Sequence, residues 1–303
     1  VHPLVIEAAR LIREGKLVAF PTETVYGLGA NALDAAAVQR IFEAKGRPST
    51  SPLIVHVASI EMGRGLAAEW PEQAERLASA FWPGPLTLVL PKRPVIPDNV
   101  TAGLATVGLR MPAHPIALDL IREAGVPVAA PSANRFTELS PTEAAHVENS
   151  LGGAVDLVID GGPTQVGIES TVLSLSGTPA IVRPGMVTKP EIEALIGPVG
   201  IRHCAPAGAN EAPGMRERHY RPRTPLFFEP QAAGSGVYLY RTAPAAATRS
   251  LPMPDNPAAY GAELYRILHQ LDTEGLDWIA VEPPPDEPYW AGIRDRLQRA
   301  ANC

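Results

Sequence analysis

Short apolar, β-rich runs alternate with amphipathic helical stretches along most of this chain, and that alternation restricts it to folds in which helices cover a sheet. PLVIEAARLIREG, residues 3–15, has apolar residues at helical spacing and stops at Gly15, so a helix is expected, followed by a strand in KLVAF. DAAAVQRIFEAKG, residues 34–46, offers Asp34 as N-cap and Gly46 just after Lys45, the expected ends of a second helix. PLIVHVAS, LTLVLP, TVGLRM and VPVAAP read as strands, and EQAERLASAFW, PIALDLIREAG and PTEAAHVENSLG as helices. ESTVLSLSG followed by TPAIVRPG reads as a hairpin turning at Ser176 and Gly177, which makes the expected sheet mixed rather than wholly parallel.

From about His203 to Arg223 the pattern stops. APAGANEAPGMRERHYRPR is rich in Pro, Gly, Ala and Arg and has no periodic apolar face, the composition of a linker. TPLFFEP, GVYLYR, a helix in AAYGAELYRILHQLDTEG, a strand in DWIAVEPPP and a last helix in AGIRDRLQRAA then suffice for a small α/β domain. A chain of 303 residues exceeds the usual single-domain size, so the expected division is a first domain over 1–200, a linker over 201–222 and a second domain over 223–303. The 33 Pro and 26 Gly stay below the fraction that marks low complexity, and they predict many turns in an ordered chain.

Charge and cysteine usage exclude several function classes. A formal net charge of −6 argues against a protein that holds nucleic acid mainly by a general basic surface. Cys204 and Cys303 lie far from any CxxC or Cys/His spacing, so neither a zinc site nor a disulfide framework is indicated, and a reducing cytoplasm fits best. Cys303 is the last residue rather than fourth from the end, which removes the prenylation motif. Apolar runs are too short for a membrane span, and the first residues lack the order of a signal peptide. Neither G-x-x-x-x-G-K-[ST] nor a strand followed by G-x-G-x-x-G occurs, so any phosphate site is of another kind.

Polar residues nevertheless gather at the ends of apolar strands. EAKGRPSTSP joins Lys45 and Arg47 to Ser49, Thr50 and Ser51 in one loop, a set suited to a polyphosphate; the same cations also suit an ordinary helix C-terminus. Strand alternation puts Ile54 and His56 on one face, and Thr106, Gly108 and Arg110 on one face of another strand, where Gly108 lets a ligand lie low against Arg110 unless the face is simply solvated. PSANRFTELSPT follows an apolar strand and presents Ser132, Asn134, Ser140 and Thr142, although Ser140 before Pro141 also reads as a helix N-cap. Glu169, Ser170 and Thr171 open the hairpin, and Arg183 closes it. In FPTETVYGLG, Thr22, Glu23, Thr24 and Tyr26 read as a cavity wall, with Gly27 and Gly29 permitting a tight turn and close packing; Thr22 or Thr24 capping a turn is the plainer alternative. Together these form the pattern of a polar cavity on a rigid sheet.

FPTETVYGLG, KGRPSTSPLIVHV, TVGLRMP, PSANRFTELSPT, IESTVL and IVRPG, in that order, resemble the motifs of the threonylcarbamoyl-AMP synthase family, and the tail with APGMRERHYRP and WAGIRDRLQRAA resembles its long two-domain form. The resemblance implies a twisted mixed α/β sheet with a large concave cavity (YrdC-like), a smaller Rossmann-like α/β C-terminal domain, and a linker able to cover the cavity. It implies conversion of L-threonine, bicarbonate or CO2, and ATP with Mg2+ to threonylcarbamoyl-AMP and pyrophosphate. Downstream transferase proteins would use the product to make threonylcarbamoyladenosine in tRNA, in the cytoplasm.

Carried over by position, the resemblance implies that Thr24, His56, Arg110, Ser132 and Ser170 surround threonine. Arg47, Ser51, Thr106, Asn134, Ser140 and Arg183 would hold ATP, with Lys45 near its phosphates and Lys45 and Arg47 as the catalytic cations. His219 and Tyr220 would reach back onto the nucleotide. No protein side chain is implied as a metal ligand, and Cys204 has no assigned role. The loop SANRFTELS departs from the small residues, such as SGEPS, more usual in relatives. Carbamoyl transfer in hydrogenase maturation is a second enzyme reading, disfavoured because the zinc-binding cysteine pairs are absent. A noncatalytic RNA- or nucleotide-binding module is a third, supported by RERHYRPR, which is also the source of the expected weak RNA contact, and opposed by the overall acidity.

Overall fold

Helix ends form where the capping chemistry asks for them. In the computed structural model, which describes residues 3–202 and 219–301, Asp34 accepts hydrogen bonds from the backbone N–H groups of Ala36 and Ala37, and the helix Ala35–Lys45 ends at Gly46 with φ of 60°. The first helix, Pro3–Arg13, buries Val5, Ala8, Ala9 and Ile12 on one stripe. Between and beyond the helices run β1 (Val18–Phe20), β2 (Gly27–Asn31), β3 (Ile54–His56), β4 (Leu86–Pro91), β5 (Thr106–Arg110), β6 (Val128–Ala129), β7 (Leu157–Val158), β8 (Thr171–Ser174), β9 (Ala180–Arg183) and β10 (Gly200–Ile201).

These strands make one ten-stranded sheet in the order β10-β9-β8-β4-β5-β3-β6-β2-β1-β7. It is mixed as expected: β3 and β5 are parallel, β4 and β5 antiparallel, and β8 and β9 form the antiparallel hairpin. Strands buried on both faces read as continuous apolar runs, which is why LTLVLP is buried from Leu86 to Leu90. The β3–β5 register pairs His56 with Arg110, so the two side chains stand beside each other near the middle of the sheet.

The second unit has a four-stranded sheet, β11 (Leu226–Phe227), β12 (Gly236–Tyr240), β13 (Arg249–Pro252) and β14 (Trp278–Val281), ordered β11-β14-β12-β13. Every pairing in it is parallel, as a Rossmann-like unit requires. Helices Pro257–Leu271 and Ala291–Ala300 pack with it, the first capped by Asn256 onto the N–H of Ala259. The apolar cluster beneath these helices does not stop at the unit's edge. It includes Val25, Leu139 and Ile168 from the first unit beside Tyr220, Tyr265 and Ile293. His146 and His269 stack across the same junction with ring centroids 3.8 Å apart.

Two expectations need correction. Gly27 and Gly29 do not make a tight turn; both lie in β2, paired with β1. The requirement for glycine there is close packing, since a Cβ on Gly29 would sit 2.7 Å from Phe20 and 2.9 Å from Val128. Ser140 does not cap a helix, because helix Ala144–Leu151 begins after Glu143 and Ser140 is spent on a tertiary hydrogen bond. Most of the expected linker, with Cys204 and the arginines of RERHYRPR before His219, lies outside the described residues, as does Cys303. Gly29→Ala is expected to lower the unfolding free energy by about 1–3 kcal/mol through overpacking against Phe20, measured by urea titration.

Candidate functional site

The chain leaves β1 at Pro21 and makes a tight polar turn. Thr22 Oγ1 donates to the carbonyl of Val25 at 2.6 Å and accepts from the N–H of Thr24 at 3.2 Å, so the plainer alternative, a turn-forming threonine, describes Thr22. Thr24, which is wholly buried, is thereby presented to a cavity. Tyr26 faces elsewhere, its hydroxyl donating to Gly162 O at 2.8 Å and accepting from Gly161 N at 3.1 Å.

The cavity is lined by Thr24, Arg47, His56, Arg110, Ser132 and Ser170, and also by Glu169, Arg183, His219 and Tyr220. Its volume is about 40 Å³, room for a few waters and far less than a nucleotide. The large concavity expected from the sequence is therefore not open, because His219 and Tyr220 line it from the side of the second unit. Tyr220 is held there with φ of 61° and its ring lies against Tyr265 and His219. Neither ring nitrogen of His219 nor the Tyr220 hydroxyl has a hydrogen-bond partner among the described residues, although both side chains are buried. Buried polar atoms left so are costly unless a ligand meets them.

Three guanidinium groups reach this cavity almost dry. Arg47 Nη2 donates to Ser51 Oγ at 2.6 Å and Pro52 O at 2.9 Å. Arg110 donates to Gly84 O at 3.3 Å and stands 2.7 Å from a Glu23 carboxylate oxygen, close but poorly aligned for a hydrogen bond. Arg183 donates to Ser170 O at 3.1 Å and Ser170 Oγ at 3.1 Å, and that hydroxyl also meets Thr87 Oγ1 at 2.8 Å. The titration of neighbouring groups reflects the resulting field. Burial first, and Arg110 second, push the His56 imidazole down to about 3, while burial followed by the charges of Arg47, Lys45 and Arg183 holds His219 well below the usual histidine range. Further positive charge is unwelcome here; an anion is not.

The remaining expected residues lie outside the lining. Lys45 is 2% exposed, and its ammonium donates to Ser132 O at 2.6 Å and to Asn134 O. Burial, with Arg47 beside it, lowers its pKa well below the ordinary value. Asn134 binds its own loop, donating to Arg135 O and Glu138 O at 2.9 Å. Ser51 holds Arg47, Thr106 is half-buried at the start of β5, and Ser140 donates to Glu169. Glu23, expected with its neighbours to form the cavity wall, lies behind the lining beside Arg110, and the sequence alone assigned no role to Glu169, which does line the cavity. An acidic residue in the otherwise hydroxylic motif EST was the available signal. Among the described residues no group of three His, Cys, Asp or Glu side chains could hold a metal ion, and no helix is long and apolar enough to cross a membrane.

The family described as "Telomere recombination" (Sua5_yciO_yrdC) matches residues 10–185, and "Threonylcarbamoyl-AMP synthase, C-terminal domain" matches residues 187–302. A threonylcarbamoyl-AMP synthase of Bacillus subtilis is 44% identical over 99% of this chain and 93% of its own length. One from Pyrococcus abyssi is 45% identical over 97% of this chain and 93% of its own. Among solved structures, P. abyssi Sua5 complexed with L-threonine superposes with a TM-score of 0.93 at 43% identity, covering 98% of this chain and 94% of that one.

The folded chain keeps His56 neutral down to about pH 3, whereas an unfolded imidazole takes up its proton near 6.5. Between those values the unfolded state binds more protons, so stability falls as pH falls through the window. His56→Asn is expected to flatten that fall, measured by urea titrations at several pH values; an unchanged slope would contradict it.

Proposed function

The chain belongs to the threonylcarbamoyl-AMP synthase family and is an enzyme of the nucleotidyl-transfer type; from that premise we propose that its cavity joins L-threonine, bicarbonate or CO2, and ATP. The observation that carries the reading is the convergence of Arg47, Arg110 and Arg183, at 7%, 4% and 3% exposure, on one cavity beside neutral His56 and the hydroxyls of Thr24, Ser132 and Ser170. Both reacting partners are anionic, and a desolvated pocket could not hold them together without such compensation.

In this reading the threonine amine captures CO2 as a carbamate, its proton passing to bicarbonate or a phosphate oxygen, and a carbamate oxygen attacks the α-phosphorus of ATP, breaking the bond to the β-phosphate oxygen and expelling pyrophosphate. Arg110 pairs with the threonine carboxylate in exchange for Glu23, and Thr24, His56, Ser132 and Ser170 shape its surroundings. Arg47 and Arg183 face the phosphates and stabilise the charge that develops on them. Lys45 acts one step back: by gripping the carbonyls of Ser132 and Asn134 it holds the loop that carries them, and Ser51, Asn134 and Ser140 likewise set the shape of the nucleotide side. Thr106 is the member of the expected set with least support. Mg2+, held by the phosphates of ATP, would supply neutralising charge there. His219 and Tyr220, whose polar side-chain atoms have no partner among the described residues, would withdraw to admit substrates and return to exclude the water that decomposes carbamates. The division at 1–200, 201–222 and 223–303, the cytoplasmic location, the delivery of product to tRNA-modifying transferases and a weak RNA contact belong to the same reading.

Purified enzyme is expected to release pyrophosphate from ATP only when L-threonine and bicarbonate are both supplied, followed by a coupled phosphate assay; release indifferent to threonine rules the substrate out. Arg47→Ala should lower kcat/KM by about 10²–10³-fold with an unchanged circular dichroism spectrum. Wild-type turnover in that variant would remove Arg47 from the phosphate site.

A further inference from the structure

A carboxylate on the wall of a cavity built for anions works against it, since little water is present to screen the repulsion. Glu169 is such a group: it lines the cavity and is 7% exposed. Much of what holds its side chain comes from the second unit. Glu169 Oε2 accepts from Arg296 Nε at 2.6 Å and from the Tyr265 hydroxyl at 3.4 Å, while Ser140 donates to Oε1. Arg296, 1% exposed, is among the most buried side chains in the protein. It also donates to Asp295 Oδ2 at 2.6 Å, a carboxylate that Arg299 shares, to Pro184 O at 3.1 Å and to Glu169 O at 3.3 Å, and its guanidinium carbon lies 5.0 Å from the Tyr220 ring centroid. The contact is built at backbone level as well. Gly292, one turn earlier on the same helix, rests on Gly185, where a Cβ would come within 2.8 Å of the Gly185 Cα. Although burial works to raise the Glu169 pKa, Arg296 and then Arg183 keep it below the ordinary carboxylate range, so the group is charged.

We propose that Arg296 is a positioning residue for the reaction: from the last helix it supplies the counter-charge that stops Glu169 from repelling the anionic substrates, so that the second unit completes the charge balance of the first unit's cavity. The inference rests on the assignment of this cavity to ATP and threonine. A purely mechanical role, in which Arg296 only fastens the two units, makes a different forecast. If docking alone matters, removing the Glu169 charge cannot repair the loss of Arg296. If charge balance matters, it must.

Arg296→Met, Glu169→Gln and the double variant should be compared with wild type by calorimetric titration with inorganic pyrophosphate and by the KM for ATP in threonine-dependent turnover, with thermal unfolding recorded for each. Arg296→Met is expected to weaken pyrophosphate binding and raise the KM by roughly tenfold or more, the penalty of an uncompensated buried charge. Adding Glu169→Gln should recover most of both losses even if the melting temperature stays low. A double variant as weak as Arg296→Met, or Arg296→Met binding like wild type, overturns the proposal. Should Arg296→Met not fold, the double variant decides alone: near-wild-type pyrophosphate affinity supports the inference and a tenfold loss overturns it. Wild-type enzyme that binds pyrophosphate but shows no threonine dependence would refute the substrate assignment while leaving the charge test readable; wild type that fails to bind pyrophosphate overturns the charge-balance proposal itself.

Discussion

Arg47, Arg110 and Arg183 stand nearly out of water in one cavity, and a folded chain can keep three guanidinium groups there only if oxygens meet them. Carbonyls of Pro52, Gly84 and Ser170, hydroxyls of Ser51 and Ser170, and the Glu23 carboxylate do so. Each of those oxygens sits within a few residues of a strand, Ser51 and Pro52 before β3, Gly84 before β4, Ser170 before β8 and Glu23 after β1, so the sheet register decides whether the arginines are satisfied. The β3–β5 pairing that sets His56 against Arg110 and the hairpin that brings Arg183 back to Ser170 are thus as much part of the site as the side chains. Donors held this way are already oriented, so they would not have to reorganise around an anion entering the cavity.

The same electrostatic demand explains why the second unit is more than an appendage. Its core takes in Val25, Leu139 and Ile168 from the first unit, and two glycine contacts, Gly167 with Gly261 and Gly185 with Gly292, bring backbone against backbone on either side of Glu169. Such approaches leave no room for side chains, and they put Arg296 and Tyr265 within reach of a carboxylate that the first sheet alone would leave at the cavity wall. The stacked pair His146 and His269 lies on this junction too. Burial leads in pushing each of them down to about 4, so both are neutral and can stack.

Local patterns were legible where the physics is local. Asp34 and Gly46 bound a helix because capping involves residues a few positions apart. His56 and Arg110 could be assigned to polar positions of apolar strands because side-chain direction alternates along any strand. β2 was not legible, because GLGAN has little strand propensity of its own and is recruited by its neighbours β1 and β6. Lys45 and Ser140 were recognisable as polar residues in promising loops, yet Lys45 is turned onto the carbonyls of Ser132 and Asn134, nearly ninety positions away, and Ser140 onto Glu169.

By itself the amino-acid sequence determined the class of fold, the mixed character of the first sheet, the break before a smaller α/β unit and the set of residue types from which an anion site could be made. Periodicity, caps and turn chemistry are written within a dozen residues, so they survive without knowledge of the fold. Tertiary structure alone decided which of those polar residues face a common space and which are consumed in holding it open, and that Glu169 answers to Arg296 across 127 positions. Such pairings depend on strand order and unit docking, and in a low-dielectric interior it is the partner, rather than the residue type, that sets what a charge can do.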